Sequence, residues 1–162
     1  MLLIWRFVTI LLVALTLGLS FAHTLEMPAK MLYEGGLYIT IQRSLYAAWG
    51  PPNIGGFLEP AAVVAAVVLC AAVRHRKRAF WLSTAAAVAL LAAFPLVYFI
   101  LVEPVNEILR TTSAIPANWE QLRSRWETGH AVRCLLQLIA LSLMLLSVLF
   151  ETGKRKFMSK DF

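Results

Sequence analysis

Residues 79–102 read AFWLSTAAAVALLAAFPLVYFILV, without one charged side chain. At 1.5 Å per helical residue this run is long enough to cross a hydrocarbon core of roughly 30 Å. Three more stretches are as long or nearly so, and the spans are read as Leu2 to Ala22, Phe57 to Val73, Ala79 to Val102 and Ala131 to Phe150. The whole chain agrees with them: 60% of its residues are hydrophobic and 15% charged, and its mean hydropathy is +0.72, values foreign to a soluble domain. The expectation is an all-α integral membrane protein, a left-handed four-helix bundle forming a single domain over residues 1–162.

The first stretch also has features of a signal peptide, with Arg6 ahead of an apolar run and Ser20-Phe21-Ala22 as a small-x-small site. A retained helix is expected instead, because the apolar run begins at Leu2, ahead of that charge, and has the length of a full span. Cleavage would make His23 a new amino terminus able to chelate copper.

Basic residues set the orientation. Arg74-His75-Arg76-Lys77-Arg78 joins the second and third spans, and Lys154-Arg155-Lys156 and Lys160 close the chain. The positive-inside rule places both in the cytoplasm, with both termini. A net charge of +6 and a pI near 9.8 therefore reflect topology and anionic lipid headgroups rather than nucleic acid. The bacterial inner membrane is the expected location. Cys70 and Cys134 fall toward opposite faces of the membrane, too far apart to bridge, and are read as packing residues.

The longer connections, roughly residues 23–56 and 103–130, fall on the outer side. Counted outward from the cytoplasmic boundaries, His23 follows about twenty residues of the first span, Glu103 follows the whole third span and His130 stands about twenty residues before Glu151, so the three share one depth, with Glu59 a little deeper. Each helix thus brings a His or Glu to the outer boundary, where intramembrane polar residues turn inward. His23, Glu26 and Lys30 make one stripe on an extension of the first helix, and Arg123, Trp126, His130 and Arg133 do so on the fourth. Asn118 and Gln121 resemble a capping box that starts the last helix near Trp119. Glu103-Pro104-Val105-Asn106 is expected to break the third helix.

The segments LSFAHTLEMPAKM, YITIQRSLYAAWG, VEPVNEIL and WEQLRSRWETGHAVR resemble the anthrone oxygenase-like family of four-helix membrane proteins, much of it of unknown function in bacteria. Positions that match are His23, Glu26, Lys30, Tyr38, Gln42, Pro104, Asn106, Trp119, Arg123, Trp126, His130 and Arg133. Fungal members keep mainly the Asn and Trp/Arg parts, and the histidine-glutamate motif is more typical of bacterial ones. The resemblance implies a membrane oxidoreductase that uses O2 on a lipophilic aromatic or quinol-like substrate and requires no cofactor.

Such chemistry needs a base, an oxyanion donor and an apolar pocket. His130 or His23 is the candidate base. Arg133, Arg123 and Asn106 are candidate donors, with Glu26 and Glu103 in the catalytic set; Trp126, Trp119, Tyr38 and Gln42 are candidate pocket residues. A metal reading uses Glu127-x-x-His130, the reversed His23-x-x-Glu26, and Glu59 and Glu103 as lone carboxylates, a di-iron-like set. The competing class is a non-catalytic membrane subunit or ligand-binding protein whose polar cluster locks the helices together. A transporter fits least, because no polar path is expected through the cytoplasmic halves of the spans. Lys30 and Arg43 are expected to be solvated or snorkelling, Glu34, Glu107 and Glu120 to face water, and Trp5, Trp49 and Trp81 to anchor at the interface.

Overall fold

A computed structural model describes the backbone of residues 1–158 and the side chains of residues 1–151. Among them the chain is helical, with no strand. The order is α1 (Leu2–Lys30), α2 (Gly35–Ile41), a π-helical turn π1 (Gln42–Tyr46), α3 (Ala47–Trp49), α4 (Ile54–Ala72), α5 (Lys77–Leu91), π2 (Ala92–Val102), α6 (Glu103–Thr111) and α7 (Trp119–Met158). Four helical stretches are long and apolar enough to cross a membrane: Leu2–Lys30, Ile54–Ala72, Lys77–Thr111 and Trp119–Glu151. The terminal basic residues Lys154, Arg155, Lys156 and Lys160 lie outside the described side chains.

The long helices close a ring, α1 on α4, α4 on α5, α5 and π2 on α7, and α7 back on α1. Small residues allow this. Ala62, Ala66, Ala86, Ala87, Ala89 and Ala140 are buried with Val13, Leu90 and Met144, and short side chains let helix backbones approach where hydrocarbon supplies no hydrophobic drive. At one end Glu151 takes Arg6 at 2.7 Å and Arg76 at 2.8 Å, joining α1, the 73–76 turn and α7. Polar side chains also enter this half of the helices, contrary to expectation: Arg6, Thr9 and Ser83 are buried there. Thr9 turns its hydroxyl onto the Trp5 carbonyl at 2.8 Å, the usual way a helix hides a hydroxyl from lipid.

The third helix does not break at Glu103-Pro104. It stays helical to Thr111, and the irregularity falls earlier, in π2 around Pro95. Proline removes a donor from the helical ladder, and a widened π turn absorbs the loss without ending the helix. The wider turn keeps Phe94, Tyr98, Val102 and Asn106 on one face, all lining the same cavity.

Gly129 fixes how closely α7 meets this segment. A Cβ there would stand 2.8 Å from Val102 Cγ2 and 3.1 Å from Leu101 Cβ, and the next residue is His130. Gly129→Val is expected to overpack the contact at a cost of about 1–3 kcal/mol. Thermal unfolding in detergent checks this, and an unchanged midpoint would show that the two helices separate freely.

Candidate active site

Chain periodicity brings the site together from all four long helical stretches and one short segment. α1 presents Ser20 and His23, π2 and α6 present the 94–106 face, α7 presents Trp126, His130 and Arg133, and α2 to α3 folds back across them with Gln42, Tyr46 and Trp49. These residues and Glu59 of α4 line a cavity of about 580 Å³.

Two histidines meet at its centre. The rings of His23 and His130 have centroids 4.1 Å apart, far inside the roughly 20 Å, two helix diameters, that would have ruled out one shared site. Trp49 stacks on His23 with its plane 7° away at 5.1 Å, while Tyr46 and Trp126 approach the same ring edge-on at 4.6 and 4.8 Å. Both imidazoles are buried. His23 Nδ1 and His130 Nε2 have no hydrogen-bond partner, and an unpaired buried polar atom costs free energy that a bound ligand can recover.

Arg133 settles the tautomer of one ring. Its Nη1 lies 3.1 Å from His130 Nδ1, and because a guanidinium only donates, that nitrogen must accept. His130 then carries its hydrogen on Nε2, the atom left without a partner. Arg133 also bonds Glu59, Gln137 reaches the same carboxylate at 3.3 Å, and Ser20 donates to Gln137 at 2.6 Å. A chain of contacts from α1 through α7 to α4 thus holds the imidazole.

A second set of charges lies beside the aromatic wall. Lys30 Nζ is 2.9 Å from Glu127 and 3.6 Å from Glu26, and 4.9 Å from the ring centroids of Tyr46 and Trp126. Tyr46 donates its hydroxyl to Glu26. Burial, and after it the Glu26 carboxylate, push that hydroxyl above its ordinary pKa, so it remains a donor. Lys30 is 2% exposed, not solvated as expected from a residue at the end of an apolar run; Glu127 is equally enclosed, each made tolerable by the other.

Of the candidate residues, His23, Gln42, Asn106, Trp126, His130, Arg133 and Glu59 line the cavity. The rest support it. Asn106 accepts the Trp126 indole N–H at 2.8 Å and donates to Glu103 at 3.1 Å; Glu103 also takes the Tyr98 hydroxyl and Arg110, both at 2.6 Å. Arg123 faces away from the cavity, donating to the carbonyls of Tyr33 at 2.7 Å and Lys30 at 3.3 Å, beneath the Trp119 ring at 4.6 Å. Tyr38 is buried and accepts from Gln42 at 2.8 Å. Arg43 is exposed, as expected, yet its guanidinium clasps the carbonyls of Leu109, Thr112 and Ser113. That contact ties the 42–46 turn to the end of α6. Glu34, Glu107 and Glu120 are exposed, Glu107 while paired with Arg110.

The reading from sequence missed Tyr46, Tyr98 and Trp49. Tyr46 continues the i, i+4 series Tyr38, Gln42, and that spacing was a usable signal. Trp49, read as an interface anchor, instead covers His23 through a chain reversal that no local pattern announces.

Among the described residues, no three His, Cys, Asp or Glu side chains gather so as to hold one metal ion. The carboxylates of the di-iron-like set are committed elsewhere: Glu59 to Arg133, Glu103 to Arg110, Glu127 to Lys30 and Glu26 to Tyr46. The donor set therefore does not fit that centre. Cys70 and Cys134 are both free thiols.

The apolar helices and this enclosed polar centre define a helical integral membrane protein with a cavity among its helices. The sequence model of the family described as anthrone oxygenase matches residues 53–143, more than half of the chain, and the protein belongs to that family. The matched region carries Glu59, Asn106, Trp126, His130 and Arg133, whereas His23, Tyr46 and Trp49 precede it. Comparison with curated proteins and with solved structures gives no match.

Proposed function

We propose that this protein is an oxygenase of the bacterial inner membrane that oxidises the activated ring CH2 of a lipophilic, anthrone-like aromatic with O2 and no cofactor. The single observation behind the reading is the pair of touching, buried imidazoles with unpartnered nitrogens at an aromatic-walled cavity. In this proposal the chain is a four-helix bundle with both termini cytoplasmic and the cavity near the outer boundary, where a membrane-dissolved substrate enters. The 74–78 basic turn at the opposite end of the helices supports that sidedness.

The chemistry balances: the ring methylene and one molecule of dioxygen become a ring ketone and one molecule of water, the carbon losing four electrons and dioxygen gaining them. His23 takes the acidic ring proton. The resulting carbanion, its charge delocalised onto the substrate oxygen, is held by the His130 Nε2–H, which Arg133 orients through Nδ1. Electron transfer from the carbanion to O2 and collapse of the pair form a C–O bond. The protonated His23 returns its proton to the peroxide anion, then takes the remaining ring proton as the O–O bond breaks, giving the ketone and hydroxide, and delivers that proton to the hydroxide to form water. Tyr46, Trp49, Tyr98 and Trp126 exclude water from the carbanion, and Asn106 fixes Trp126.

Oxygen uptake by the purified protein in detergent, given an anthrone with and without a chelator, tests the proposal. The expected result is one O2 consumed per quinone formed, at a rate the chelator leaves unchanged. Chelator sensitivity would restore a metal, and no uptake would retire the substrate. The second reading, a structural or ligand-binding cluster, draws on the ion pairs Lys30–Glu127 and Arg133–Glu59 that tie helices together; a His130→Ala protein that loses fold stability without any change in ligand binding would favour it.

A further inference from the structure

We propose that the groove between the first turn of α5 and the end of α7 binds one anionic phospholipid. It lies at the end of the helices away from the cavity and is independent of the oxygenase reading. Its volume is about 800 Å³, and it is lined by Lys77, Arg78, Trp81 and Leu82 of α5 and by Phe150 and Glu151 of α7.

Charge in the groove does not balance. Glu151 is shared between Arg6 and Arg76, and among the described residues no carboxylate pairs with Lys77 or Arg78. The first turn of α5 has no acidic side chain either. Arg78 lies over the Phe150 ring at 3.8 Å from its centroid, so a cation is held against the apolar wall. Trp81 is 63% exposed beside it.

Position selects the ligand. The apolar run of α5 begins at Ala79 and that of α7 ends at Phe150, which sets the groove where hydrocarbon gives way to headgroups. A free anion would answer the two cations and leave the apolar wall bare. A zwitterionic lipid would cover the wall but bring an ammonium group beside the two cations, cancelling the charge of its phosphate. A phospholipid with net negative charge does both, its phosphate at Lys77 and Arg78 and an acyl chain along Trp81, Leu82 and Phe150.

The test is quenching of Trp81 in phosphatidylcholine vesicles containing a minor fraction of phosphatidylglycerol brominated on its acyl chains, compared with equally brominated phosphatidylcholine. Subtracting the signal of Trp81→Phe isolates this indole. The anionic lipid is expected to quench more strongly, and its preference to fall about fivefold in each of Lys77→Gln and Arg78→Gln. Arg74→Gln, an equal loss of charge on the same turn outside the groove, is expected to leave the preference intact. Equal quenching by the two lipids would overturn the proposal, as would an equal loss in Arg74→Gln, which would mean diffuse surface attraction. Loss of the preference in inorganic phosphate at matched ionic strength would assign the site to a free anion instead.

Discussion

His23→Ala is expected to slow oxygen uptake with an anthrone by about 10²- to 10⁴-fold, the usual worth of a general base, and His130→Ala by about 10²- to 10³-fold, the worth of one oxyanion donor. The two roles separate through glutamine. In His130→Gln the amide oxygen can still accept from Arg133 while the amide nitrogen still donates into the cavity, so much of the rate should return. In His23→Gln no base remains, and none should return. Melting temperatures close to that of the unaltered protein would confirm that chemistry, not folding, has changed. If the pattern reverses, with His23→Gln active and His130→Gln dead, the assignments exchange. If all four variants keep full uptake, the histidine pair is not the catalytic centre.

The second large effect concerns stability. Lys30→Met leaves the Glu127 carboxylate buried without its cation, and breaking one side of a buried pair costs about 3–5 kcal/mol. Glu127→Gln should cost less, because Lys30 still has Glu26 at 3.6 Å. The double variant Lys30→Met, Glu127→Leu should recover most of the loss, since it removes both desolvation penalties together. Unfolding midpoints in detergent decide the matter. A Lys30→Met protein as stable as the original would mean that this pair does not hold α1 to α7, and a double variant no better than the single would mean that the lysine acts through packing alone.

Much of this could be read from the sequence because spanning a membrane is a property of local composition. The four apolar runs appear as four membrane-length helices, and α7 begins at Trp119 after Asn118, whose carbonyl accepts from Gln121 N–H at 3.0 Å. Depth counting alone set His23 level with His130, because a helix rises by a fixed distance per residue and each count started from a charged boundary. Helical spacing likewise put Trp126, His130 and Arg133 on one face.

Other residues took their meaning from neighbours distant in the chain. Lys30 reads as a cation at the water boundary until Glu127 of another helix, Tyr46 and Trp126 close over it. Arg123 and Arg133 look equivalent along α7, yet one faces backbone carbonyls of the 30–33 segment and the other faces Glu59 and a histidine. Trp49 becomes a wall of the site only because the chain turns back over α1.

The sequence by itself determined that this is a membrane-spanning helical protein of the anthrone oxygenase family and at which level its polar residues gather, since hydropathy, rise per residue and helical period are local quantities. Only the tertiary structure decided which ring nitrogen of His130 is a donor, which carboxylates are already paired and which aromatics enclose the cavity. Those depend on side chains from several helices meeting within a few ångströms, in a low-dielectric interior where each charge is fixed by the partner it finds.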